Sequence, residues 1–158
     1  MPLKAVLDGK TFIFVTRVEQ LDAGKATMVL TIGDMLKGDF PHRKLIVDLR
    51  GDAIAQKDKQ SPQLIERLAP NLELVVFGMT AGTQTTLYAF TNGTWFQLNE
   101  RGDSSNYSFI HFEPYLRRTF NGTTAELKQV VADGLSGKKE PPPVDANEPP
   151  GIGPPVKK

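Results

Sequence analysis

Hydrophobic and polar positions alternate with a period of two along most of the chain and take up a helical period near its end. Residues 11–21, TFIFVTRVEQL, are rich in β-branched and aromatic side chains, which suit a pleated, half-buried surface. Asp22-Ala23-Gly24-Lys25 is a turn signal, and residues 26–36 then set Met28, Leu30 and Ile32 on one face. Together they predict a β-hairpin. A break at Lys37-Gly38-Asp39-Phe40-Pro41 precedes residues 44–49, where Leu45, Val47 and Leu49 share a side. Three consecutive antiparallel strands are therefore expected. Residues 51–60 are polar. A helix of about two turns is expected next, with Ser61 as N-cap and Pro62 at the first helical position. Leu64, Ile65 and Leu68 form its apolar stripe, and Pro70 ends it.

Residues 72–79, LELVVFGM, are the most apolar run and predict a central strand. TTLYAFT and TWFQLN flank Asn92-Gly93, a pair that tolerates the positive φ angles of a type I′ hairpin turn. Alternation sets Tyr88 and Phe90 apart from Leu87 and Ala89, so one set must leave the core or enter a second one. Trp95 and Phe96 likewise cannot both point inward on a regular strand. One of them is either an exposed platform or covered by a C-terminal helix, and coverage is the expectation. Residues 100–106 read as polar loop, and YSFIHF at 107–112 as a short strand or extended edge segment. Thr123 and Glu126 have the spacing of a capping box. They open a helix with Leu127, Val130, Val131 and Leu135 as its buried stripe and Gly134 as its stop.

Three strands, a helix and further strands is the order of an OB-fold. The expected fold is mainly β: a small OB-like Greek-key barrel with a short helix between strands 3 and 4 and a C-terminal helix. FIFVTRVEQL, followed by MVLTIGDMLKGDFPHRKLIVDL, resembles the opening of tissue-inhibitor-of-metalloproteinase and netrin-like domains. The matching positions are Phe14, Val15, Arg17, Val18, Val29, Ile32, Leu36, Lys37 and Gly38, then Leu74, Val75, Val76 and Phe77. The resemblance spans residues 11–99. Inhibitors of that family chelate the protease zinc through an N-terminal cysteine, whereas this chain begins Met1-Pro2-Leu3 and contains no cysteine. No inhibitory residue is carried over. The body, with Thr94-Trp95-Phe96 and the Pro114-Tyr115-Leu116-Arg117-Arg118 segment, also resembles bacterial extracytoplasmic domains that continue into a proline-rich stalk. The resemblance alone implies an extracytoplasmic or periplasmic location, and a cytoplasmic one stays open.

Composition divides the chain. Residues 1–137 carry 15 basic and 15 acidic side chains, and 7 of the 12 prolines fall in residues 138–158. The expected organisation is a folded domain over 1–137 and a disordered proline-rich linker or tether over 138–158. The tail has too little apolar content to offset the entropy of ordering it. It lacks PxxP spacing, which disfavours a standard SH3 ligand. Absence of cysteine removes disulfide frameworks, thiolate zinc sites and thiol catalysis. No stretch approaches the ~18 apolar residues of a membrane span, so any membrane contact would pass through a segment outside this sequence.

No catalytic residue, metal ligand or cofactor is assigned. His42 sits in a turn, and His111-Phe112-Glu113 offers two ligands with little near them in sequence. There is no G-x-S-x-G elbow and no phosphate loop. Arg50-Gly51-Asp52 and Arg101-Gly102-Asp103 are ordinary loop chemistry, and two of the three Asn-x-Ser/Thr sites are Asn-Gly-Thr turns. Tyr88, Trp95, Tyr115, Arg117 and Arg118 are the candidate binding residues: aromatics with the compact basic pair beside them. The expected function is a noncatalytic protein-interaction or ligand-binding module held by its tail, its partner another protein or a larger parent chain. The alternative is a single-stranded nucleic-acid binder, which the neutral body disfavours because phosphate contacts drive such affinity.

Overall fold

The computed structural model describes residues 2–9 and 11–156, without the side chains of Asp103 and Ser104. The outer limits of the two expected segments, Met1 and Lys158, lie outside the described residues. The chain runs α1 (Leu3–Asp8), β1 (Phe12–Asp22), β2 (Thr27–Lys37), β3 (Lys44–Asp48), α2 (Ala53–Lys57), α3 (Gln60–Ile65) and β4 (Glu73–Ala81). It continues through β5 (Gln84–Thr91), β6 (Thr94–Arg101), β7 (Asp103–Phe112), a 3-10 turn (Pro114–Arg118) and α4 (Thr124–Ser136).

The strands close a barrel in the order β1-β2-β3-β7-β6-β5-β4. β1 closes it by pairing with β2 along its length and with β4 over Phe12 to Arg17. Irregular register at Ile13/Phe14, Phe14/Thr16 and Val18/Gln20 bends β1 between those neighbours, which is how bulges curl a sheet. Three pairs, Ile46–Asn106, Val47–Tyr107 and Asp48–Ser108, join β3 and β7 in parallel. The fold is thus the expected mainly β, OB-like barrel, with short helices between β3 and β4 and a helix after the last strand.

Alternation sorts the apolar side chains into two layers. Leu74, Val76, Leu87, Ala89, Phe96 and Leu98 fill the barrel together with Phe14, Tyr107 and Phe109. Their neighbours Val75, Phe77, Phe90 and Trp95 face outward into a second core. There they meet Leu3 and Leu7 of α1, Phe120, and Leu127 and Val131 of α4. Coverage of the tryptophan is therefore what the fold adopts. The second layer explains α1: six residues are too few for an isolated helix, but burying Leu3 and Leu7 contributes about 1.5–3 kcal/mol each. Lys37 Nζ also donates to the carbonyls of Leu7 and Gly9 at its C-terminal end.

Several boundaries differ from expectation. Asp52 caps α2 through Ala55 N at 2.8 Å, inside a stretch whose polarity hid a helix with one buried residue, Ala55. α3 starts before Ser61, with Lys59 in the left-handed region at φ 57° in place of a serine cap. Residues 100–106 form a tight hairpin around Gly102, whose φ is 45°, so β7 begins at Asp103. Gly134 stays inside α4, and Gly137 supplies the left-handed cap at φ 76°. Residues 145–156, within the segment expected as a linker, lie along the barrel, with Val156 N donating to Glu66 O at 2.9 Å and Asp145 N to Arg118 O at 2.9 Å. Backbone hydrogen bonds and one apolar anchor, Ile152, order them despite their low apolar content.

Candidate functional site

The barrel interior is filled, so a site has to be sought on its outer faces. A cavity of about 310 Å³ opens where α1 crosses the outer face of β4, β5 and β6. Its floor is made by Phe77, Tyr88 and Trp95, its sides by Val6 of α1 and Leu116 of the 3-10 turn, and its rim by Glu113. The strand register creates this floor: Phe77 pairs with Tyr88, and Phe90 with Trp95, so large outward side chains occupy adjacent strands. α1 covers part of this face and leaves the remainder open.

The polar groups at the rim are few and set close together. Glu113 N donates to Trp95 O at 2.9 Å, which ties the end of β7 to β6. The Glu113 carboxylate lies 3.5 Å from His111 Nδ1. Burial holds the Glu113 carboxyl above its ordinary pKa, and His111 opposes that shift. Burial and the Glu113 charge likewise raise the Tyr88 hydroxyl. The indole of Trp95 is 3% exposed and donates through Nε1 to Phe120 O at 2.9 Å, so its polar end is already used and its ring is wall. The cavity offers an apolar enclosure with a carboxyl and a phenol at one edge. That is the composition of a small-molecule pocket: mostly apolar, with a few polar groups that fix orientation.

The five residues expected at a binding site divide between two places. Tyr88 and Trp95 line the cavity. Tyr115 is 63% exposed on the 3-10 turn, and the Arg118 guanidinium lies 5.0 Å from its ring centre. Arg117 and Arg118 turn to the tail: Arg117 Nη2 is 3.3 Å from Glu148 Oε1, and Arg118 Nε donates to Glu148 O at 3.0 Å. Sequence reasoning missed Val6, Leu116 and Glu113. Leu3 and Leu7, four apart, were the available sign that the first residues form an amphipathic turn. Nothing in sequence brings Glu113 to Tyr88, because the register of β7 on β6 does so.

A wider hollow of about 580 Å³ lies beside the parallel pair and is lined by Ile46, Asp48, Arg101 and Tyr107. Its charges satisfy one another: Asp48 Oδ2 takes Arg50 Nη2 at 2.6 Å and Arg101 Nη1 at 2.9 Å. The aromatics suited to stacking bases lie in the two cores, and among the described residues Tyr115 is the large aromatic that is markedly exposed. No group of three or more His, Asp or Glu gathers as a metal-ligand set among the described residues. No described helix is long and apolar enough to cross a membrane. The chain matches no protein-family model, no curated protein and no solved structure. Nothing found indicates catalysis.

Proposed function

We propose that this protein is a noncatalytic binding module that holds a small, mainly apolar ligand between α1 and the barrel. The observation that carries the reading is the cavity of about 310 Å³, walled by Phe77, Tyr88 and Trp95 and edged by Glu113. Its size is at the lower end for small-molecule sites, ~300–1,000 Å³. A ligand with an apolar body and one amine or hydroxyl suits it, because Glu113 and Tyr88 accept or donate at the rim while the rest of the wall offers dispersion and burial. The netrin-like kinship and the extracytoplasmic location belong to the same proposal, supported by the strand segments within residues 11–99. Binding of nucleic acid draws no comparable support, since the neutral body lacks a basic stripe and the aromatics are largely internal.

Trp95 is the sole tryptophan and forms part of the wall, so its emission reports occupancy directly. Titration with N-phenyl-1-naphthylamine, an apolar secondary amine, is expected to give saturable energy transfer from Trp95 at one site per chain. Val6→Phe, which fills the cavity from α1, is expected to weaken the transfer by about tenfold or more, the loss that ~1.4 kcal/mol of contact represents. Non-saturable transfer, or equal binding by Val6→Phe, would contradict the assignment.

A further inference from the structure

The second half of the tail lies in a groove whose polar groups match it carbonyl by carbonyl. Thr94 Oγ1, at the start of β6, donates to Ile152 O at 2.6 Å. Arg67 Nε, just beyond α3, stands 3.0 Å from both Ile152 O and Gly153 O. Its side chain is only 10% exposed, and its Nη1 is fixed on Gln63 O at 2.6 Å, so the guanidinium is held in place to receive those carbonyls. Arg118 Nε donates to Glu148 O, and the Glu148 carboxylate meets Arg117 Nη2 and Asn121 Nδ2. Backbone amides add to this: Gly151 N to Pro114 O at 3.4 Å and Val156 N to Glu66 O at 2.9 Å. The donors come from three separate parts of the fold and address one extended segment.

Shape selects the same segment. Gly153 has φ 75°, and a Cβ there would lie 2.7 Å from Thr94 Oγ1 and 3.0 Å from the backbone carbon of Gly93. Glycine is required on both counts. Ile152, between Gly151 and Gly153, packs against the barrel core. Glu-Pro-Pro occurs twice in the tail, and the two copies behave differently. Glu140 is 87% exposed, with Lys4 at 3.7 Å. Glu148 is clasped by Arg117, Arg118 and Asn121. The Gly-Ile-Gly that follows only the second copy accounts for the choice.

We propose that the surface formed by Arg67, Thr94, Arg117, Arg118 and Asn121 is a peptide-binding groove for an extended, acidic Glu-Pro-Pro-Gly-Ile-Gly segment, occupied in cis by residues 145–156 and exchangeable for the same sequence supplied in trans. Prolines favour the extended form before docking, so little conformational entropy is lost on binding. The tether then supplies an effective concentration in the millimolar range, which lets a modest set of contacts keep the groove filled. This groove is separate from the cavity under α1, and it takes a peptide rather than a small molecule.

The test uses the full chain and a fluorescein-labelled peptide of residues 144–156, read by anisotropy. A full-length variant carrying Ile152→Asp and Gly153→Val weakens the cis ligand and leaves every groove residue unchanged. It is expected to bind the peptide about tenfold or more tightly than the unaltered chain, because the tethered competitor is removed. A peptide carrying Gly153→Val is expected to bind neither protein. Equal affinity for the two proteins, absence of binding to both, or binding of the altered peptide as tight as the native one would each overturn the proposal.

Discussion

Trp95 and Phe96 are adjacent in sequence and belong to different layers, the first walled in by Phe77, Phe90 and Phe120, the second packed on Phe109 inside the barrel. Phe12 and Gly78 fit more tightly still. They pair across β1 and β4, and a Cβ on Gly78 would lie 2.1 Å from the Phe12 ring. Gly78→Ala is expected to cost about 1–3 kcal/mol through overpacking, measurable by denaturant unfolding. Two carboxyls respond to pH in opposite directions. Arg50 hydrogen bonds hold Asp48 below its ordinary 3.8, with Arg101 adding charge attraction. Its stabilisation is present above that value and is lost as pH falls through the folded pKa. Asp48→Asn is therefore expected to destabilise by about 1 kcal/mol at neutral pH, with the gap closing in acid. Burial raises Glu113 above its ordinary 4.5, so ionising it opposes folding as pH rises through the folded pKa. Glu113→Gln is expected to raise the unfolding midpoint at neutral pH and to leave it unchanged in acid. Alternation at Tyr88/Phe90 and Trp95/Phe96 showed that one set leaves the barrel interior or enters a second core, and the packing of α1, Phe120 and α4 decides for the second core. That Glu113 joins them was not legible, since its position depends on pairing between distant segments.

At the scale of elements, α4 was legible because its start is a local hydrogen-bond device. Thr123 Oγ1 accepts from Glu126 N at 3.1 Å, and Glu126 Oε1 from Thr123 N at 3.2 Å. Thr123→Ala is expected to cost about 1 kcal/mol, read as a lowered thermal midpoint. Its end was misjudged because Gly134 is needed for close packing rather than for a cap. A Cβ there would lie 2.7 Å from Leu7 Cδ1 and 3.1 Å from Pro141 Cγ. α1 and α2 escaped notice for a shared reason. Each is held by one or two buried side chains, Leu3 and Leu7 or Ala55, and short helices with so few anchors leave little periodicity to find. The docking of residues 145–156 was not legible for a related reason. Composition counts apolar residues, whereas the docked segment depends on backbone carbonyls, one isoleucine and two glycines. Because α1 forms one wall of the cavity, Leu7→Ala is expected both to destabilise by about 2–5 kcal/mol and to abolish saturable N-phenyl-1-naphthylamine binding. Loss of binding at a protein concentration and temperature where circular dichroism shows the barrel folded would separate the two effects.

Across the whole molecule, the OB-like barrel is a scaffold with two distinct outer faces. One lies under α1 and encloses apolar space beside a carboxyl. The other holds the chain's own proline-rich segment. Near-zero net charge over residues 1–137 agrees with sites that work through burial and shaped hydrogen bonding rather than through a charged field. The strand order was legible as far as the first three strands and the central hairpin, whose pairings are local. The parallel seam of β3 and β7, which links the first three strands to the later ones, joins residues about sixty positions apart and has no local signature. Whether a small ligand binds under α1 is the central question for this molecule. Amide chemical-shift mapping with N-phenyl-1-naphthylamine on the unaltered chain addresses it directly. Saturable shifts are expected to concentrate at Val6, Thr11, Tyr88, Trp95 and Leu116, with the Asp48–Arg101 hollow and residues 145–156 unmoved. Shifts centred on either of those surfaces, or none that saturate, would contradict a ligand site under α1.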